Sequence, residues 1–442
     1  MSNHAAAAGF FEPLPALEPV PAISRQHIIV IGAGVVGLSC ALWLQRAGHR
    51  VSVCDPQPPL PGVSYESSCS FGNACTVAYA SCIPVATPGI VRGVPHMLLS
   101  RTSPLSIFWR DLPQLAPWLL SFLRSSRPGE LRRIVAVLGR LLRLADAGHA
   151  PLIADARLEH LVRRGGCMYL YSTEDKFKAA RQDIALREEQ GVRLQVLDAR
   201  AVREREPGLA PRYAKGVVFQ DVYSLDTPHR YMLGLARLFQ DRGGVFIQAS
   251  AQDIVRQDGA LFISTAGGPH EADTVVVSAG AWSRRLARGL GDRVRLDAER
   301  GYHVMFPGSQ SLLSAPACYP EYGFYMTPLS EGLRAAGTVE LGGLGQPMRP
   351  VRTQAIERVA RQLLPGLGER GGEWLGFRPS MPDSLPVIGR SPRDPRVVYA
   401  FGHGHIGLTL GGITGRLVAD LVGGRQPVLD LHPFRPDRFG GS

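Results

Sequence analysis

The sequence of 442 residues predicts an α/β fold in which two structural units are interwoven along the chain. One observation is an apolar, β-branched run at residues 27–32, which is followed at once by a glycine-rich turn, a helical segment and a second strand. Another is a strand at 397–401 that leads through a second glycine-rich turn into an apolar helix ending near Gly423. Because the segments between differ in character from both ends, each unit is expected to combine distant parts of the chain.

The composition is that of an ordinary globular protein. Only three of the 49 basic side chains are lysines (Lys176, Lys178, Lys215), and the arginines are scattered among acids, so we attribute the net charge of +11 to a general preference for arginine. Because no basic block has interleaved aromatics, nucleic-acid binding is not expected. The seven cysteines form no Cys-x-x-Cys pair, which favours reduced thiols, a cytoplasmic location and no metal site.

Two segments bear on membrane association. Residues 1–25 are rich in Ala and Pro and have neither a basic start nor a long apolar stretch, so we expect a disordered tail and no signal peptide or membrane span. Residues 104–123 are apolar and aromatic, but Arg110, Asp111 and three prolines interrupt them, so they should not cross a membrane. They either lie on a membrane surface or form a helix and loop packed over the active site.

The first ordered elements predict a dinucleotide-binding β–α–β unit. The strand at 27–32 enters the sequence Gly32-Ala33-Gly34-Val35-Val36-Gly37, and the helical segment 35–47 ends at Gly48, which is typical of a helix C-cap. Gly32 makes the tight turn, Gly34 lets the backbone approach a pyrophosphate, and Gly37 lets helix and strand pack closely. A structural glycine turn is the alternative, but the second strand, at 51–55, ends in Asp55, which can accept hydrogen bonds from a ribose.

The later elements follow in order. The region 83–222 alternates helical and strand-like segments, shows no nucleotide signature, and predicts an insertion that forms the second unit. A return to the nucleotide-binding sheet is expected afterwards, and 293–372 is strand-rich and aromatic. The individual segments are a helix at 130–144, a strand at 167–172, a helix at 226–242, a strand at 244–248, and a buried strand at 274–282 that ends in a turn of small residues.

The C-terminal turn GHGHIGLT starts a second helix whose N-terminus can hold negative charge. Backbone donors at Gly407, Leu408 and Thr409 are placed to stabilise a reduced flavin, because unpaired N–H groups and the helix dipole favour an anion. The alternative is a helix start whose glycines serve only packing. The fingerprint near Gly32 does not by itself distinguish FAD from NAD.

With these motifs in place, the sequence resembles the D-amino-acid oxidase superfamily, and within it the bacterial FAD-dependent D-amino-acid dehydrogenases. The similarity runs from residue 27 to residue 439. It is carried by VIGAGVVGLSCALWLQRAGHRVSVCD, SSCSFGNAC, the PLSIFW-type insertion, VVVSAGAWS, ERGYHV, YMTPLSEGLRAAGTVELGG, GFRPSMPDSLPVIG and GHGHIGLTLGGITGRLVADL. The resemblance implies a Rossmann-like FAD-binding domain interwoven with an α+β substrate domain built on an antiparallel sheet.

The resemblance also implies domain boundaries and a cofactor site. The boundaries are a disordered tail at 1–25, an FAD-binding domain at 26–83, 223–292 and 373–430, a substrate domain at 84–222 and 293–372, and a C-terminal tail at 431–442. Because the C-terminal region has no cysteine, the FAD is expected to be non-covalent. The residues implied to bind it are Gly32, Gly34, Val36, Gly37, Asp55, Ser70, Phe71, Gly72, Asn73, Gly280, Trp282, Gly402, Gly404, Gly407, Leu408 and Thr409.

Five residues are implied on the substrate side. Arg378 has the position of the family's Gly-x-Arg-Pro arginine, and its planar fork matches a carboxylate, although an ion pair with an acid such as Asp383 is the alternative. Tyr302 and Tyr325, with Tyr322 nearby, either offer a hydroxyl to the substrate or merely pack. His403 and His405 either bond to the backbone or tune the protonation of the substrate amine.

The resemblance implies transfer of hydride from the α-carbon of a D-amino acid to flavin N5, which gives an imino acid. The turn GHGHIGLT resembles dehydrogenases of D-proline or cis-4-hydroxy-D-proline, and a broad acyclic D-amino-acid dehydrogenase is the alternative. No lysine lies in the flavin-facing motifs, which favours a quinone or a carrier protein over oxygen as electron acceptor. A glycine or sarcosine oxidase and a flavin-binding subunit of a hetero-oligomer remain alternatives. The expected location is the cytoplasm, with peripheral contact at the inner face of the membrane through 104–123.

Overall fold

The computed structural model describes residues 10–91, 105–108 and 111–440 of the chain. The strands are β1 His27–Ile31, β2 Arg50–Cys54, β3 Thr76–Val77, β4 Leu105–Ile107, β5 Val162–Arg163, β6 Cys167–Tyr171, β7 Leu194–Asp198, β8 Lys215–Phe219, β9 Tyr223–Leu225, β10 Val245–Ile247, β11 Asp253–Gln257, β12 Ala260–Thr265, β13 Gly268–Ala272, β14 Thr274–Val277, β15 Asp297–Phe306, β16 Ala317–Tyr319, β17 Phe324–Leu329, β18 Gly332–Leu341, β19 Glu373–Ser380, β20 Val387–Arg390 and β21 Val397–Phe401. The helices are α1 Val35–Arg46, α2 Cys69–Gly72, α3 Leu112–Ser125, α4 Pro128–Arg143, α5 Ala145–Asp155, α6 Glu174–Glu189, α7 Ala199–Arg205, α8 Pro228–Asp241, α9 Ser283–Gly289, α10 Pro350–Leu363 and α11 Gly407–Val422.

The first sheet has the strand order β10-β2-β1-β14-β21-β20. All neighbours in it are parallel except β20 and β21. Ile28, Ile29 and Val30 of β1 are fully buried, as expected of a central parallel strand covered on both faces. The predicted β–α–β unit is confirmed, and the strands predicted near 274 and 397 return to the same sheet.

The second sheet has the order β19-β15-β18-β17-β16-β6-β8-β7, with β4 paired to β18. Its core pairs β19–β15, β15–β18 and β18–β17 are antiparallel, and the predicted fold class is thereby confirmed. One irregularity lies in its centre, where Arg300 pairs with Glu340 and Tyr302 with Gly337. The single residue Gly301 therefore faces two residues, Thr338 and Val339, in a β-bulge.

One predicted domain boundary needs correction. Residues 373–430 were assigned to the FAD-binding domain, yet β19 pairs with β15 in the second sheet. The chain enters the first sheet only at β20, because the hydrogen bonds of β19 run along β15. Helix α5 of the insertion 84–222 packs on α11: a side chain at Gly148 would lie 2.3 Å from the backbone nitrogen of Ile413. The other predicted boundaries remain predictions.

The N-terminal segment also departs from prediction where it is described. Phe10 is only 4% exposed, with its ring centroid 5.1 Å from that of Phe11 and 6.5 Å from that of Tyr79. The carbonyl of Pro15 accepts a hydrogen bond of 2.6 Å from Arg416 of α11. Phe10 and Val20 are therefore buried against the protein and Pro15 is hydrogen-bonded to it, whereas residues 21–25 are exposed; residues 1–9 lie outside the described part of the chain.

The segment 104–123 contributes helix α3, which packs on the second sheet. Trp118 is 5% exposed and donates a hydrogen bond of 3.1 Å to the carbonyl of Ser380. Leu120 and Leu123 point outward, with 57% and 47% exposure. Within residues 10–91, 105–108 and 111–440, no helix is long and apolar enough to cross a bilayer. Residues 104, 109 and 110, the last being the predicted Arg110, lie outside the described residues.

Candidate active site

A cavity of about 760 Å³ lies between the two sheets, a volume in the usual range for small-molecule sites. Gly32, Gly34 and Asp55 line it from the start of α1. Gly404 and Gly407 line the same cavity from the start of α11. The two glycine-led helix starts, which belong to opposite ends of the chain, thus open into one space.

The turn before α1 is shaped for a close backbone approach. Gly32 has φ of +106°, and a side chain there would lie 2.5 Å from the carbonyl oxygen of Ser278. Gly34 is the N-cap of α1 and lines the cavity with Val36. Gly37 does not line the cavity; a Cβ there would lie 1.9 Å from the Gly32 oxygen, which agrees with its predicted role in packing.

Asp55 follows β2 and braces the same turn. Its carboxylate accepts hydrogen bonds from the backbone N–H groups of Ala33 at 2.7 Å and Gln57 at 2.8 Å. Burial raises its pKa, and the two backbone donors oppose that shift. Because Asp55 also lines the cavity, it has the position expected of a ribose ligand.

The loop around α2 forms one wall of the cavity. Ser70, Gly72 and Asn73 line it, and the Ser70 hydroxyl accepts a hydrogen bond of 2.9 Å from the N–H of Val35. The expectation for Phe71 is corrected: its ring turns away from the cavity to pack edge-on against Tyr65, with centroids 5.4 Å apart.

Three side chains of the second sheet, all absent from the sequence prediction, hold this loop in place. His303 contacts the carbonyl of Gly72 at 3.0 Å, and Arg334 donates to the carbonyl of Asn73 at 2.9 Å. Trp374 lines the cavity and donates to the carbonyl of Glu66 at 2.6 Å. Burial, followed by the charge of Arg334, lowers the pKa of His303 to about 3, so its ring is neutral at neutral pH.

The turn before α11 supplies the opposite wall. His403, Gly404, His405, Gly407 and Leu408 line the cavity. Ile406 is the N-cap and provides no side-chain hydrogen bond, so the helix start presents backbone N–H groups.

Two predicted residues of this turn do not line the cavity. Gly402 has φ of +84° and lies against Met381, where a side chain would contact Met381 Cγ at 2.7 Å. The Thr409 hydroxyl accepts a hydrogen bond of 2.9 Å from the N–H of Ala78, because the side chain points into the helix packing. His149 of α5, which the sequence prediction missed, contacts the carbonyl of Thr409 at 3.0 Å and so helps to fix the position of the first turn of α11.

The two histidines of the turn are neutral imidazoles at neutral pH. Burial lowers the pKa of His403 to about 3, and its ring pairs with the Thr414 hydroxyl at 2.9 Å. Burial, followed by the charge of Arg378, also lowers the pKa of His405. Neither ring therefore carries a positive charge for substrate recognition, and the hydrogen bond of His403 fits its structural alternative.

Arg378 reaches the cavity across the β-bulge. Its guanidinium donates to the carbonyl of Thr338 at 2.8 Å and lies 3.4 Å from that of Gly337. Asp383, the acid considered as its alternative partner, instead pairs with Arg438 at 2.8 and 3.0 Å. Among the described residues no carboxylate forms an ion pair with Arg378, so the guanidinium is available to an anionic ligand.

The three tyrosines considered for the substrate side have different positions in the structure. Tyr325 lines the cavity, with its hydroxyl 2.5 Å from that of Tyr169. The prediction for Tyr302 is wrong: its hydroxyl donates to the buried Glu340 at 2.6 Å on the other face of β15, because alternate residues of a strand face opposite sides. Tyr322 lines a separate, smaller cavity.

Gly280 and Trp282 complete the predicted set, and both line the cavity. Gly280 has φ of +55°, and a side chain there would meet open space. Trp282 is 43% exposed and meets the Phe377 ring edge-on, with centroids 5.8 Å apart. These residues place an aromatic edge at the opening of the cavity.

Comparison with known proteins settles the family. The model of the family described as FAD dependent oxidoreductase matches residues 27–421. The chain belongs to this family. It is an oxidoreductase with FAD as its cofactor, and the expected membership of the D-amino-acid oxidase superfamily is confirmed.

Similar proteins cover nearly the whole chain. A D-amino-acid oxidase of Bradyrhizobium diazoefficiens is 36% identical over 423 residues, which are 94% of this chain and 99% of that protein. A D-amino acid dehydrogenase of Cereibacter sphaeroides is 30% identical over 425 residues, 93% of this chain and 95% of that protein. The crystal structure of glycine oxidase from Geobacillus kaustophilus is 23% identical with a TM-score of 0.70, covers 94% of this chain and 99% of that one, and shows the fold alone.

The residues that line the cavity are suited to FAD. Gly34, the N-cap of α1, has no side chain, and Ile406, the N-cap of α11, forms no side-chain hydrogen bond, so both helix starts present backbone donors to anionic groups. A Cβ at Gly280 would project into open space, and the carboxylate of Asp55 lies beside the first turn. The first turn suits a pyrophosphate and ribose, and the second suits the electron-rich edge of a flavin.

Proposed function

We propose that this enzyme dehydrogenates a D-amino acid, with D-proline or cis-4-hydroxy-D-proline as the preferred substrate. The main support is the position of the Arg378 guanidinium, which lines the cavity shared by both helix starts. It donates a hydrogen bond of 2.8 Å to the carbonyl of Thr338, which fixes its orientation. Its fork matches a carboxylate in two parallel hydrogen bonds. The names of the two curated relatives, a D-amino-acid oxidase and a D-amino acid dehydrogenase, support this substrate class.

The protein contributes placement and electrostatics. Arg378 would hold the substrate carboxylate and so fix the direction of the α-C–H bond. FAD, when bound, would supply the hydride acceptor at flavin N5, the substrate nitrogen would release one proton to solvent, and the product would be an imino acid. The backbone N–H groups at Gly407 and Leu408 would face the charge that develops on the pyrimidine edge.

Non-covalent attachment of FAD is part of the proposal. Cys69 and Cys75 both line the cavity, but burial raises the pKa of each thiol to about 11. A thiol in that state is a poor nucleophile at neutral pH, because the thiolate is the reactive form.

A dehydrogenase is favoured over a glycine or sarcosine oxidase by the make-up of the cavity wall. The three lysines of the sequence, Lys176, Lys178 and Lys215, are absent from the lining of the described cavity. A lysine above the flavin is the oxygen-activating residue that the resemblance associates with some amine oxidases. Peroxide production in air at a rate matching turnover would favour the oxidase, and a yellow but inactive purified chain would favour the hetero-oligomer subunit.

A quinone or a carrier protein in the cytoplasm or at the inner face of the membrane is proposed as electron acceptor. The outward Leu120 and Leu123 of α3 support peripheral membrane contact. Co-sedimentation with anionic phospholipid vesicles tests this contact. The double variant Leu120→Asp, Leu123→Asp should lose it, whereas equal sedimentation of both proteins would remove α3 from the proposal.

Two measurements test the substrate proposal. An absorbance spectrum should show bound oxidised flavin, and D-proline added without oxygen should bleach it. A turnover panel with an artificial electron acceptor then ranks substrates. Faster reaction of acyclic D-amino acids than of D-proline would remove the cyclic substrate, and a spectrum that no D-amino acid bleaches would remove the function itself.

A further inference from the structure

Glu299 is a carboxyl group in the cavity wall that neither the sequence prediction nor the proposed function uses. It lies directly opposite Arg378 in the pairing of β15 with β19, and directly paired residues of antiparallel strands project to the same face. Both side chains line the cavity. An acid and a base thus stand side by side on one wall.

The carboxyl of Glu299 is buried and has no cationic partner. It is 6% exposed, and within the described parts of the chain it takes part in no ion pair. The Ser380 hydroxyl lies near enough to lower its pKa, but no hydrogen bond of ordinary geometry among the described residues ends on its oxygens, so its acceptor capacity is largely unused. A buried carboxylate is costly unless a cation or several donors compensate it, so this arrangement is suited to a cationic ligand.

The charged groups around Glu299 act in opposite directions. Burial raises its pKa, Arg378 across the strand pair and the Ser380 hydroxyl lower it, and Asp297 on its own strand raises it. From the facing turn, His405 lines the cavity as a neutral ring. Arg378 is thus the cation that lowers the pKa of Glu299. The guanidinium and the carboxyl group are nevertheless not within ion-pair distance of each other in the described structure.

The backbone beside Arg378 is strained at Thr338. Thr338, in the bulge opposite Gly301, has φ of +61°, a conformation that a β-branched residue rarely adopts. Its buried hydroxyl has no hydrogen-bond partner among the described residues, although it lines the same cavity. Strained residues and unsatisfied polar groups of this kind persist where the surroundings hold them, and they cluster at ligand sites.

We infer that Glu299 binds the positively charged amino group of the substrate while Arg378 binds its carboxylate. This inference rests on the proposed function and deepens it. An amino acid carries its two charges on one carbon, so a receptor for the zwitterion needs an acid and a base at neighbouring positions. Glu299 would then be the residue that selects amino acids over carboxylic acids of the same shape.

Two ligands that differ at one atom test the inference on the FAD-loaded enzyme. D-proline carries the charged ring nitrogen, and (R)-tetrahydrofuran-2-carboxylate replaces it with a neutral ether oxygen. The dissociation constant of D-proline comes from the concentration dependence of anaerobic flavin reduction. That of the ether comes from its perturbation of the flavin spectrum, which needs no turnover.

Glu299→Gln should weaken D-proline binding at least about tenfold and leave binding of the ether unchanged or tighter, because only the amine loses a charged partner. Glu299→Asp, which keeps the charge, should recover most of the affinity for D-proline. Arg378→Ala should weaken both ligands. Equal losses of both ligands in Glu299→Gln would show that Glu299 merely positions Arg378 and would overturn the inference.

A second measurement covers the case in which Glu299→Gln does not hold FAD. The wild-type enzyme should bind D-proline more tightly than the ether, and a preference for the ether would overturn the inference. Failure of the proposed function looks different: no D-amino acid would bleach the wild-type flavin. Spectral titration with the two ligands would still measure the wild-type preference in that case.

Discussion

The guanidinium of Arg378 occupies the space that any side chain at position 301 would fill. A Cβ built on Gly301 would lie 2.2 Å from Nη2 and 2.3 Å from Cζ of Arg378. A glycine inside a strand often marks such a close approach. The absence of a side chain in β15 is therefore a condition for the position of the proposed carboxylate ligand.

Gly301→Ala should displace Arg378 and raise KM for the substrate by roughly tenfold or more, because the bidentate geometry would be lost. FAD binding should be retained, since Gly301 is not among the residues that line the cavity and both glycine-led helix starts are formed by other elements. Gly372→Ala is the matched control, because a side chain there meets nothing within 4 Å. Equal kinetics of the two variants would separate Gly301 from the site.

Arg378→Ala should raise KM by roughly 100-fold while the flavin spectrum stays intact, because a charge-assisted carboxylate contact is removed. Arg378→Lys should recover only part of this loss, since an ammonium lacks the planar fork. Steady-state kinetics at saturating artificial acceptor measure both. An unchanged KM in Arg378→Ala would remove the residue from substrate binding.

Tyr302→Phe should leave KM unchanged and lower the free energy of unfolding by roughly 1–3 kcal/mol, because Glu340 loses a buried hydrogen-bond donor. That donor lies 2.6 Å from the carboxylate, on the side of β15 away from the cavity. Urea denaturation and steady-state kinetics on the same preparation read the two effects. A raised KM with unchanged stability would restore Tyr302 to the substrate site.

Acid should destabilise the protein through its buried histidines, among which His303 and His403 have the most strongly lowered pKa. The pKa of His303 and of His403 is about 3 in the folded chain against 6.5 for an ordinary histidine, so below pH 6.5 the unfolded state binds more protons. The free energy of unfolding should therefore fall as pH falls from 6.5 toward 3, by roughly 1 kcal/mol per histidine and pH unit.

Urea denaturation at about pH 7 and about pH 5 checks this slope. His303→Gln should flatten it, because the amide does not titrate. The exposed His160 provides the control, since His160→Gln should leave the slope as it is. A slope unaffected by His303→Gln would mean that other groups cause the acid sensitivity.

Cys75 has φ of +60°, in the left-handed region where glycine is favoured over a β-branched residue. Cys75→Val should be less stable than Cys75→Gly by roughly 1–3 kcal/mol, because a β-branched residue is strained in this conformation. At Cys40, inside helix α1, the order should reverse, since glycine is unfavourable in a helix. Denaturation midpoints of the four variants decide the matter, and a common order at both positions would exclude backbone strain as the cause.

Local signals in the sequence were enough for the elements that contact the cofactor. The strand, glycine turn and helix near Gly32, and the glycine-led helix at Gly407, each lie within a short window, and their ends in the structure are within one residue of the predicted ends. Their approach to one cavity followed from the expectation of an interwoven fold. Arg378 was found through its motif and lines that cavity.

The residues that were missed depend on pairing between distant strands. Glu299 reaches the site through the pairing of β15 with β19, and Trp374, His303 and Arg334 hold a loop that precedes them by more than 200 residues. The error at Tyr302 has a similar origin. Which face of β15 is inward depends on the pairing of its neighbours, and no local pattern in an almost wholly buried strand reveals it.

The bridge between Ser380 and His403 joins the end of β19 to the turn before α11. Arg378 is two residues from one partner of this bridge, and Gly404 follows the other. The bridge therefore fixes the distance between the proposed carboxylate ligand and the turn proposed to face the flavin. We do not expect the distance between Arg378 and Gly404 to change with the size of the substrate. We expect variation in side-chain size to be accommodated along β17 and β18 of the same sheet, where the paired residues Tyr325 and Ala336 line the cavity, and altered selectivity should be sought there.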